Sequence, residues 1–261
     1  MSYEDSVQDI ENNLKDYIFD NKYIDTDLKF VCYYLSNQLK FDYNNILLVG
    51  NNIIDLLLYI VDKYNNANIT YIDINYSVKE DIKEDIKEKY KENFESSNIK
   101  YYNNFNKFIN DHKSIYKNYD LIVTHNSLLN IINIENIIKL YNQILIINGC
   151  LMMIEHCSGY SVDICSEFLN YANKNSYQFY NIFSIAGLLD KYNFNNIKTK
   201  DNISILVKNL ENDLNNLHYN RNFYIKKYKE NIYEKKKNLW NNKLNWYYNK
   251  SICWGYIFSV K

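Results

Sequence analysis

From residue 45 onward, short apolar segments alternate with longer charged segments whose apolar residues recur at helical spacing. This alternation is typical of βαβ units, in which parallel strands form a sheet and helices cover both of its faces. The apolar segments predict strands at 45–49, 69–74, 99–102, 120–124 and 144–154. Helices are predicted between them at about 52–64, 77–95, 104–111 and 133–143. We therefore expect an α/β fold on a mostly parallel sheet.

The remaining segments predict helices on either side of this sheet and two further strands. Helices are expected at 4–18 and 24–40, near 161–174 and 182–192, and over a long polar stretch of about 209–235. Strands are expected near 195–207 and at 252–261. Residues 1–44 are interpreted as an N-terminal helical cap, and 45–261 as one domain with a helical insert near 155–250, together forming one structural unit.

Composition narrows the class of protein. With 47% hydrophobic residues, 23% charged residues and a net charge of -1, the 261-residue chain is typical of a soluble globular protein and not of a general nucleic-acid binder. Its five cysteines are scattered and lack metal-ligand spacing, which indicates reduced thiols and no metal site. No apolar run approaches the roughly 20 residues of a membrane span, and no signal peptide is evident. A cytoplasmic protein is expected.

The segment 46–55 (ILLVGNNIID) has the layout of a cofactor-binding turn, because an apolar strand leads through a glycine into a helix. Such turns use several glycines so that the backbone can approach the ligand, but only Gly50 is present here. Asp73 ends the next strand 23 residues later, where an acidic residue can bind the ribose hydroxyls of an adenosine-type ligand. Alternatively, Asp73 caps the turn that follows its strand.

Several short motifs in the second half of the chain occur in a consistent order. They are YDLIVTHNSLLN at 119–130, MIEHC at 153–157, the segment 171–194, Asn-Phe-x-Asn at 193–196, WNNK at 240–243 and WGY at 254–256. In register from about 119 to 261, they resemble the phosphoethanolamine N-methyltransferases, particularly the single-domain form of malaria parasites. The resemblance weakens before residue 119, and a segment of the family is missing between Tyr23 and Asn45. Aminopropyl transferases share the strand plan, but their acidic residue after the fourth strand is absent here.

The resemblance implies the class I methyltransferase fold, a seven-stranded, mostly parallel, Rossmann-like sheet with helices on both faces and an antiparallel C-terminal strand. It also implies S-adenosylmethionine (SAM) as methyl donor and a small phosphorylated amine as acceptor. On the cofactor side, Gly50 and Asp73 match the family. Leu48 replaces its strand-ending acid, and Asn52 and Ile54 replace two of its glycines. The acid expected near adenine is replaced by the segment 103–105 (NNF), whose Phe105 could stack on a base or belong to the core.

On the acceptor side, the family's catalytic pair is half retained. Its catalytic tyrosine corresponds to Tyr23, but its histidine is Asn130 and the nearby acid is Asn126. An amide cannot accept a proton near neutral pH as an imidazole can, so general-base assistance is lost at this position. His125 is interpreted as a surface or loop histidine, with a replacement catalytic role as the alternative.

The family's phosphate-binding residues are better retained. Tyr171, Tyr177 and Lys243 correspond to two tyrosines and a lysine that bind substrate, and their hydroxyls and ammonium can donate to phosphate oxygens. The family's arginine is Asn175, and an earlier aromatic residue is His156. Lys243 cannot reproduce the fork-shaped donor geometry of that arginine.

These losses affect several unconnected positions and therefore favour a methyltransferase-fold pseudoenzyme with a binding or scaffolding role. The alternative is an active SAM-dependent methyltransferase that acts on a phosphorylated amine or another small molecule. SAM is the expected cofactor if the protein is active, and otherwise no cofactor is expected. The expected partners are a small phosphorylated amine and another protein.

Overall fold

A computed structural model describes residues 42–50, 54–73, 98–102, 105–111, 118–129, 131–159, 166–174 and 177–261. The predicted N-terminal cap and the predicted helix at 77–95 lie outside these ranges. Among the site residues, Tyr23, Asn52, Asn130 and Asn175 also lie outside them.

The strands are β1 (Asn45–Gly50), β2 (Asn68–Asp73), β3 (Asn98–Tyr102), β4 (Tyr119–His125), β5 (Leu145–Ser158), β6 (Asn195–Asp201) and β7 (Ile252–Val260). The described helices are α1 (Ile54–Lys63), α2 (Phe105–Asp111), α3 (Ile134–Ile144), α4 (Ser166–Lys174), α5 (Ile182–Lys191), α6 (Ile203–Tyr219), α7 (Arg221–Tyr228) and α8 (Glu230–Tyr248). Within the described ranges, no helix combines the length and the apolar character needed to cross a membrane.

The strands form one seven-stranded sheet in the order β3-β2-β1-β4-β5-β7-β6. Strands β1 to β5 pair in parallel, whereas β7 lies antiparallel to both β5 and β6. This confirms the predicted fold class. Since β1 has β2 on one side and β4 on the other, the chain reverses its direction of travel across the sheet between β1 and β4. In open α/β sheets, ligands bind at the carboxyl ends of the strands beside such a point.

Both faces of the central sheet are buried, which explains why β1, β4 and β7 and most of β5 are apolar, whereas the edge strand β6 is polar and largely exposed. Alternate residues of β1 enter opposite cores: Ile46 and Leu48 face one core, Leu47 and Val49 the other, and all four are fully buried. Residues of α1, α4, α6 and α8 belong to the first core. Residues of α2, α3 and α5 belong to the second core. The carboxyl edge of the sheet therefore lies between two packed layers of helices.

The predicted strand at 195–207 is wrong at its C-terminal end. Strand β6 stops at Asp201, and the apolar segment that follows is the first turn and a half of α6. The Asp201 carboxylate accepts a hydrogen bond from the backbone N–H of Ile203 at 2.9 Å, which satisfies a donor at the start of the helix. Leu206 and Leu210, four residues apart, are then buried on one face. A short apolar run does not by itself distinguish a strand from a helix.

The predicted long polar helix at 209–235 is also wrong, because the chain forms three helices there. Helix α6 ends before Asn220, and α7 ends before Lys229, whose φ of 71° is incompatible with a continuing α-helix. No proline or glycine marks either break in the sequence. The sequence pattern predicts helix throughout this stretch, but the points where one helix ends and the next begins depend on how α7 and α8 pack.

Two of the family-like motifs have backbone requirements that account for their residues. In the Asn-Phe-x-Asn motif, Asn193 and Asn196 have φ values of 60° and 52°, a region that asparagine tolerates better than most residues. In the Trp-Gly-Tyr motif, a Cβ on Gly255 would lie 2.7 Å from the Lys200 carbonyl oxygen and 2.8 Å from Ile182 Cδ1. These motifs therefore maintain the turn before β6 at Asn193, the irregular start of β6 at Asn196 and the close approach of β7 to its neighbours.

Candidate functional site

Four residues lie in register at the carboxyl edge of the parallel strands. Asp73 of β2 is beside Gly50 of β1, Gly50 is beside His125 of β4, and His125 is beside Ile154 of β5. Gly50 is buried, and the strand change from β1 to β4 occurs at this row. The two residues predicted to bind a cofactor, Gly50 and Asp73, are thus backbone neighbours at the expected crevice. The Asp73 side chain lies outside the described structure, so its role stays a prediction.

The other side of the cofactor turn fits SAM less well. Leu48, at the position of the family's acid, is fully buried in the first core and supplies no charge for the amino-acid moiety of SAM. Ile54 begins α1, but its side chain, like that of Asp55, lies outside the described part of the chain. Phe105 packs against Phe108 with ring centroids 5.9 Å apart and contacts the second core, which favours its interpretation as a core residue.

The interpretation of His125 as a surface or loop residue is wrong. It is the last residue of β4 and is only 3% exposed. Its position between Gly50 and Ile154 places it in the row at the carboxyl edge. In the sequence, His125 is a polar residue at the end of an apolar run, and the pairing of β4 with β1 and β5 explains its burial at the carboxyl edge.

Asn126, the residue after His125, links the end of β4 to β5 through two hydrogen bonds. It has a left-handed backbone conformation with φ of 49°, and its N–H donates to the Ile154 carbonyl oxygen at 2.9 Å. Its side-chain Oδ1 lies 2.7 Å from His156 Nδ1. If this oxygen accepts the hydrogen bond, His156 carries its proton on Nδ1. The amide at the family's acidic position therefore orients an imidazole on the neighbouring strand.

His156 is held in its neutral form. Burial lowers the pKa of His156 well below its usual value, and electrostatic interaction with Lys243 and with His125 lowers it further. His156 is 7% exposed and pairs in register with Trp254 of β7. A neutral imidazole at this position can exchange hydrogen bonds with a ligand without carrying a charge.

Glu155 anchors the loop that follows β4. The carboxylate is 1% exposed and accepts hydrogen bonds from Thr124 Oγ1 at 2.7 Å, Ser127 Oγ at 2.8 Å and the Leu128 N–H at 3.1 Å. Burial raises the pKa of Glu155, and these hydrogen bonds oppose that effect. The carboxylate thus joins the end of β4 and the following loop to β5. In the sequence, this role is indicated only by an acidic residue within an apolar strand.

The predicted substrate residues Tyr171 and Tyr177 belong to one aromatic cluster. Their ring centroids are 6.2 Å apart, and the Tyr171 ring lies 5.2 Å from that of Trp246 on α8. Phe168 contacts Trp246 and Phe179 at 5.6 Å and 4.9 Å. We call Phe168, Tyr171, Tyr177, Phe179 and Trp246 the aromatic cluster. Trp246 is not among the predicted substrate residues, although it lies three residues after Lys243 and therefore near the same helix face.

Lys243 joins this cluster to the polar residues at the end of β5. It is only 4% exposed, and its ammonium lies 5.6 Å from the centroid of the Tyr247 ring. After burial, the positive charge of Lys243 is the next largest cause of the lowered pKa of His156. The backbone also connects the segment after α4 to the loop after β4, because the Gln178 N–H donates to the Leu129 carbonyl oxygen at 2.8 Å. Tyr171 thus contacts the helix that carries Lys243, and the charge of Lys243 reaches His156. The assignment of these residues as ligand contacts stays a prediction.

Similar architectures occur among solved structures of methyltransferases. Phosphoethanolamine N-methyltransferase 2 of Haemonchus contortus, in complex with phosphomonomethylethanolamine and S-adenosylhomocysteine, aligns with a TM-score of 0.76 and 13% identity over 95% of this chain. A putative sarcosine dimethylglycine methyltransferase from Galdieria sulphuraria aligns with a TM-score of 0.72, 12% identity and 91% coverage of this chain and 86% of its own. The cyclopropane synthase MmaA2 of Mycobacterium tuberculosis has a TM-score of 0.69 at 10% identity, with 93% of this chain and 86% of its own covered.

These similarities define a class of fold. The chain has the class I SAM-dependent methyltransferase fold, with its antiparallel C-terminal strand. Within that class, this chain spans 56% of the length of the Haemonchus enzyme. No protein-family model matches the sequence, and no curated protein matches it.

Proposed function

We propose that this protein binds a small phosphorylated amine at the carboxyl ends of β4 and β5 and has lost acid-base methyl transfer, which makes it a pseudoenzyme with a binding role. The observation that carries this proposal is the contact of the aromatic cluster with α8. The same helix carries Lys243, whose charge contributes to the lowered pKa of His156. The two positions where the resemblance places acid-base groups hold amides instead, at Asn126 and Asn130. The residues proposed to recognise the ligand are therefore retained, whereas these two acid-base positions are replaced.

Lys243 and the tyrosine hydroxyls suit the phosphate end of such a ligand, and the aromatic rings suit its amine end. A buried ammonium such as that of Lys243 attracts a phosphate strongly, because the surroundings screen charge less than water does. Tyrosine hydroxyls add donors to phosphate oxygens. Aromatic rings such as those of Tyr171 and Trp246 can accept a substituted ammonium on their faces. The proposed ligand is therefore an amine whose positive charge lies a few bonds from its phosphate, as in phosphoethanolamine or phosphocholine.

We expect Lys243→Met to weaken phosphocholine binding by about 10- to 100-fold, since a hydrogen bond to a charged group contributes about 1.5–3 kcal/mol. Methionine retains much of the length and apolar volume of lysine and removes its charge. Titration calorimetry of both proteins with phosphocholine and phosphoethanolamine measures the effect. Lys235→Met provides a matched control, because Lys235 is an exposed lysine on the same helix. An affinity unchanged by Lys243→Met, or no binding of either ligand to the native protein, would contradict the proposal.

A second candidate function is active SAM-dependent methyl transfer, and the row of Asp73, Gly50 and His125 at the strand change favours it. SAM, when bound, supplies the methyl group. Asp73 would bind ribose hydroxyls, and the Gly50 backbone would allow close approach of the ligand. Catalysis would consist mainly of positioning, because Asn126 and Asn130 offer little acid-base assistance.

The two candidates differ in their affinity for SAM. For the active enzyme, calorimetry should detect SAM and S-adenosylhomocysteine at micromolar concentration, and Asp73→Ala should weaken binding at least about tenfold through lost charged hydrogen bonds. Asp62→Ala is the control, since Asp62 is exposed on α1. Micromolar binding would refute the cofactor-free form of the pseudoenzyme, whereas failure of native protein to bind either compound would refute the active enzyme.

A further inference from the structure

Helix α7 differs from the helices around it. It connects α6 to α8 and has no fully buried residue, whereas both neighbours contribute several residues to the first core. Tyr224 and Ile225 lie partly buried against that core. On the outer side, Phe223 is 61% exposed, and Tyr219, four residues earlier, is 90% exposed. Large aromatic side chains are thus presented to the surroundings at a corner of the fold.

Positive charge is concentrated around the same helix. Residues 219–237 contain seven basic and two acidic side chains and have a net charge of +5, whereas the whole chain has a net charge of -1. The two acids already form ion pairs within the segment, Glu230 with Arg221 at 2.6 Å and Glu234 with Lys237 at 3.2 Å. Lys226, Lys227 and Lys229 are all exposed. We call residues 219–237 the basic corner.

The exposed cations and aromatic rings are interleaved. The Lys227 ammonium lies 4.9 Å from the Tyr228 ring centroid and 5.8 Å from that of Phe223. Lysine side chains can lay their apolar stems along such rings while their ammonium groups remain in water. This combination suits the interface of a lipid bilayer, where aromatic rings enter the headgroup level and lysines attract anionic headgroups.

We propose that the basic corner binds an anionic lipid surface, with α7 lying on the membrane and Phe223 and Tyr219 entering its headgroup layer. A lipid surface is favoured because the exposed rings of Phe223 and Tyr219 lie close in sequence to the exposed lysines of the same short segment, a combination that an anionic bilayer interface accommodates. Lys243 lies 14 residues beyond Lys229 along α8, which corresponds to roughly 20 Å at the helical rise. Lys226, Lys227 and Lys229, the lysines on which the inference rests, are thus separate from the candidate ligand site, and the inference does not depend on the proposed function.

Co-sedimentation with vesicles tests this inference. The full chain should bind phosphatidylcholine vesicles that contain phosphatidylserine at least about tenfold more strongly than pure phosphatidylcholine vesicles, and added salt should weaken that binding. The triple variant Lys226→Glu, Lys227→Glu, Lys229→Glu should reduce binding to the anionic vesicles at least about tenfold. Phe223→Ser should reduce it by a smaller factor, because it removes the inserted ring and leaves the charge.

The matched control is Lys107→Glu, Lys139→Glu, Lys208→Glu, which reverses three exposed charges on α2, α3 and α6. Circular dichroism verifies that each variant is folded. The inference is overturned if the native chain does not bind anionic vesicles at low ionic strength, or if the control triple reduces binding as much as the basic-corner triple. Binding of single- or double-stranded DNA through the basic corner, without vesicle binding, would also overturn it in favour of a nucleic-acid partner.

Discussion

Replacing Trp254 with alanine is expected to lower the free energy of unfolding by about 3–5 kcal/mol, the usual cost of removing a large aromatic side chain from a core. Trp254 is completely buried on β7, which is bonded to β5 on one side and β6 on the other. Its side chain belongs to the first core, and its carbonyl oxygen accepts a hydrogen bond from the Asn202 N–H at 2.8 Å. The loss would therefore open a cavity where the two antiparallel strands meet the parallel part of the sheet.

Urea denaturation followed by circular dichroism measures this effect without depending on tryptophan fluorescence. Trp254→Phe should cost less than the alanine variant because it retains most of the buried apolar volume. Phe183→Ala is the matched control, since Phe183 is an aromatic residue that is 61% exposed, and its replacement should change stability by about 0.5 kcal/mol or less. A loss of under about 1 kcal/mol for Trp254→Ala would show that this part of the core is not packed as described.

The second large effect is expected at Glu155. Glu155→Ala should lower the free energy of unfolding by about 2–4 kcal/mol, because a buried donor left without an acceptor costs about 1–3 kcal/mol. Three donors lose their acceptor at once, on Thr124, Ser127 and Leu128. Relief of the buried carboxylate, whose pKa is raised by burial, opposes this loss. We expect the three donors to dominate, since alanine offers none of them a replacement.

Conservative variants separate these contributions. In Glu155→Gln, one side-chain oxygen can still accept from both hydroxyls, but the amide NH₂ would face the Leu128 N–H, so an intermediate loss is expected. Thr124→Val removes a single donor and should cost about 1 kcal/mol. Hydrogen exchange at Leu128 should become faster in Glu155→Ala, because its bonded acceptor is gone. Equal or greater stability of Glu155→Ala would show that desolvation of the carboxylate outweighs its hydrogen bonds.

Much of the sheet could be predicted because its local and global requirements agree. The apolar segments of β1 to β5 and β7 were placed within a few residues of their observed bounds. Such strands are buried on both faces, so they are apolar throughout and contrast sharply with the charged helices between them. The segment after β6 lacked this contrast. Apolar residues at 203–207 fit a strand or a helix, and packing against the first core selected α6.

The candidate site was predicted only in part, because a linear motif does not state what lies beside it. Matching the family's motif selected Tyr171, Tyr177 and Lys243, and the fold brings the two tyrosines together with the helix that carries Lys243. The same motif treated Asn126 merely as the loss of an acid. In the structure, its amide orients His156, a contact across 30 residues that depends on the pairing of β4 with β5.

From its apolar pattern, the sequence predicted the alternation of strands and helices and an α/β fold on a mostly parallel sheet, because periodicity is a local property. Its motifs implied the class I methyltransferase fold by resemblance. Tertiary packing decided how the residues combine: His125 is buried beside Gly50, Glu155 anchors the loop after β4, and α7 leaves Phe223 exposed at the basic corner. These outcomes depend on contacts between distant segments, whose geometry is set when the sheet and its two helical layers pack together.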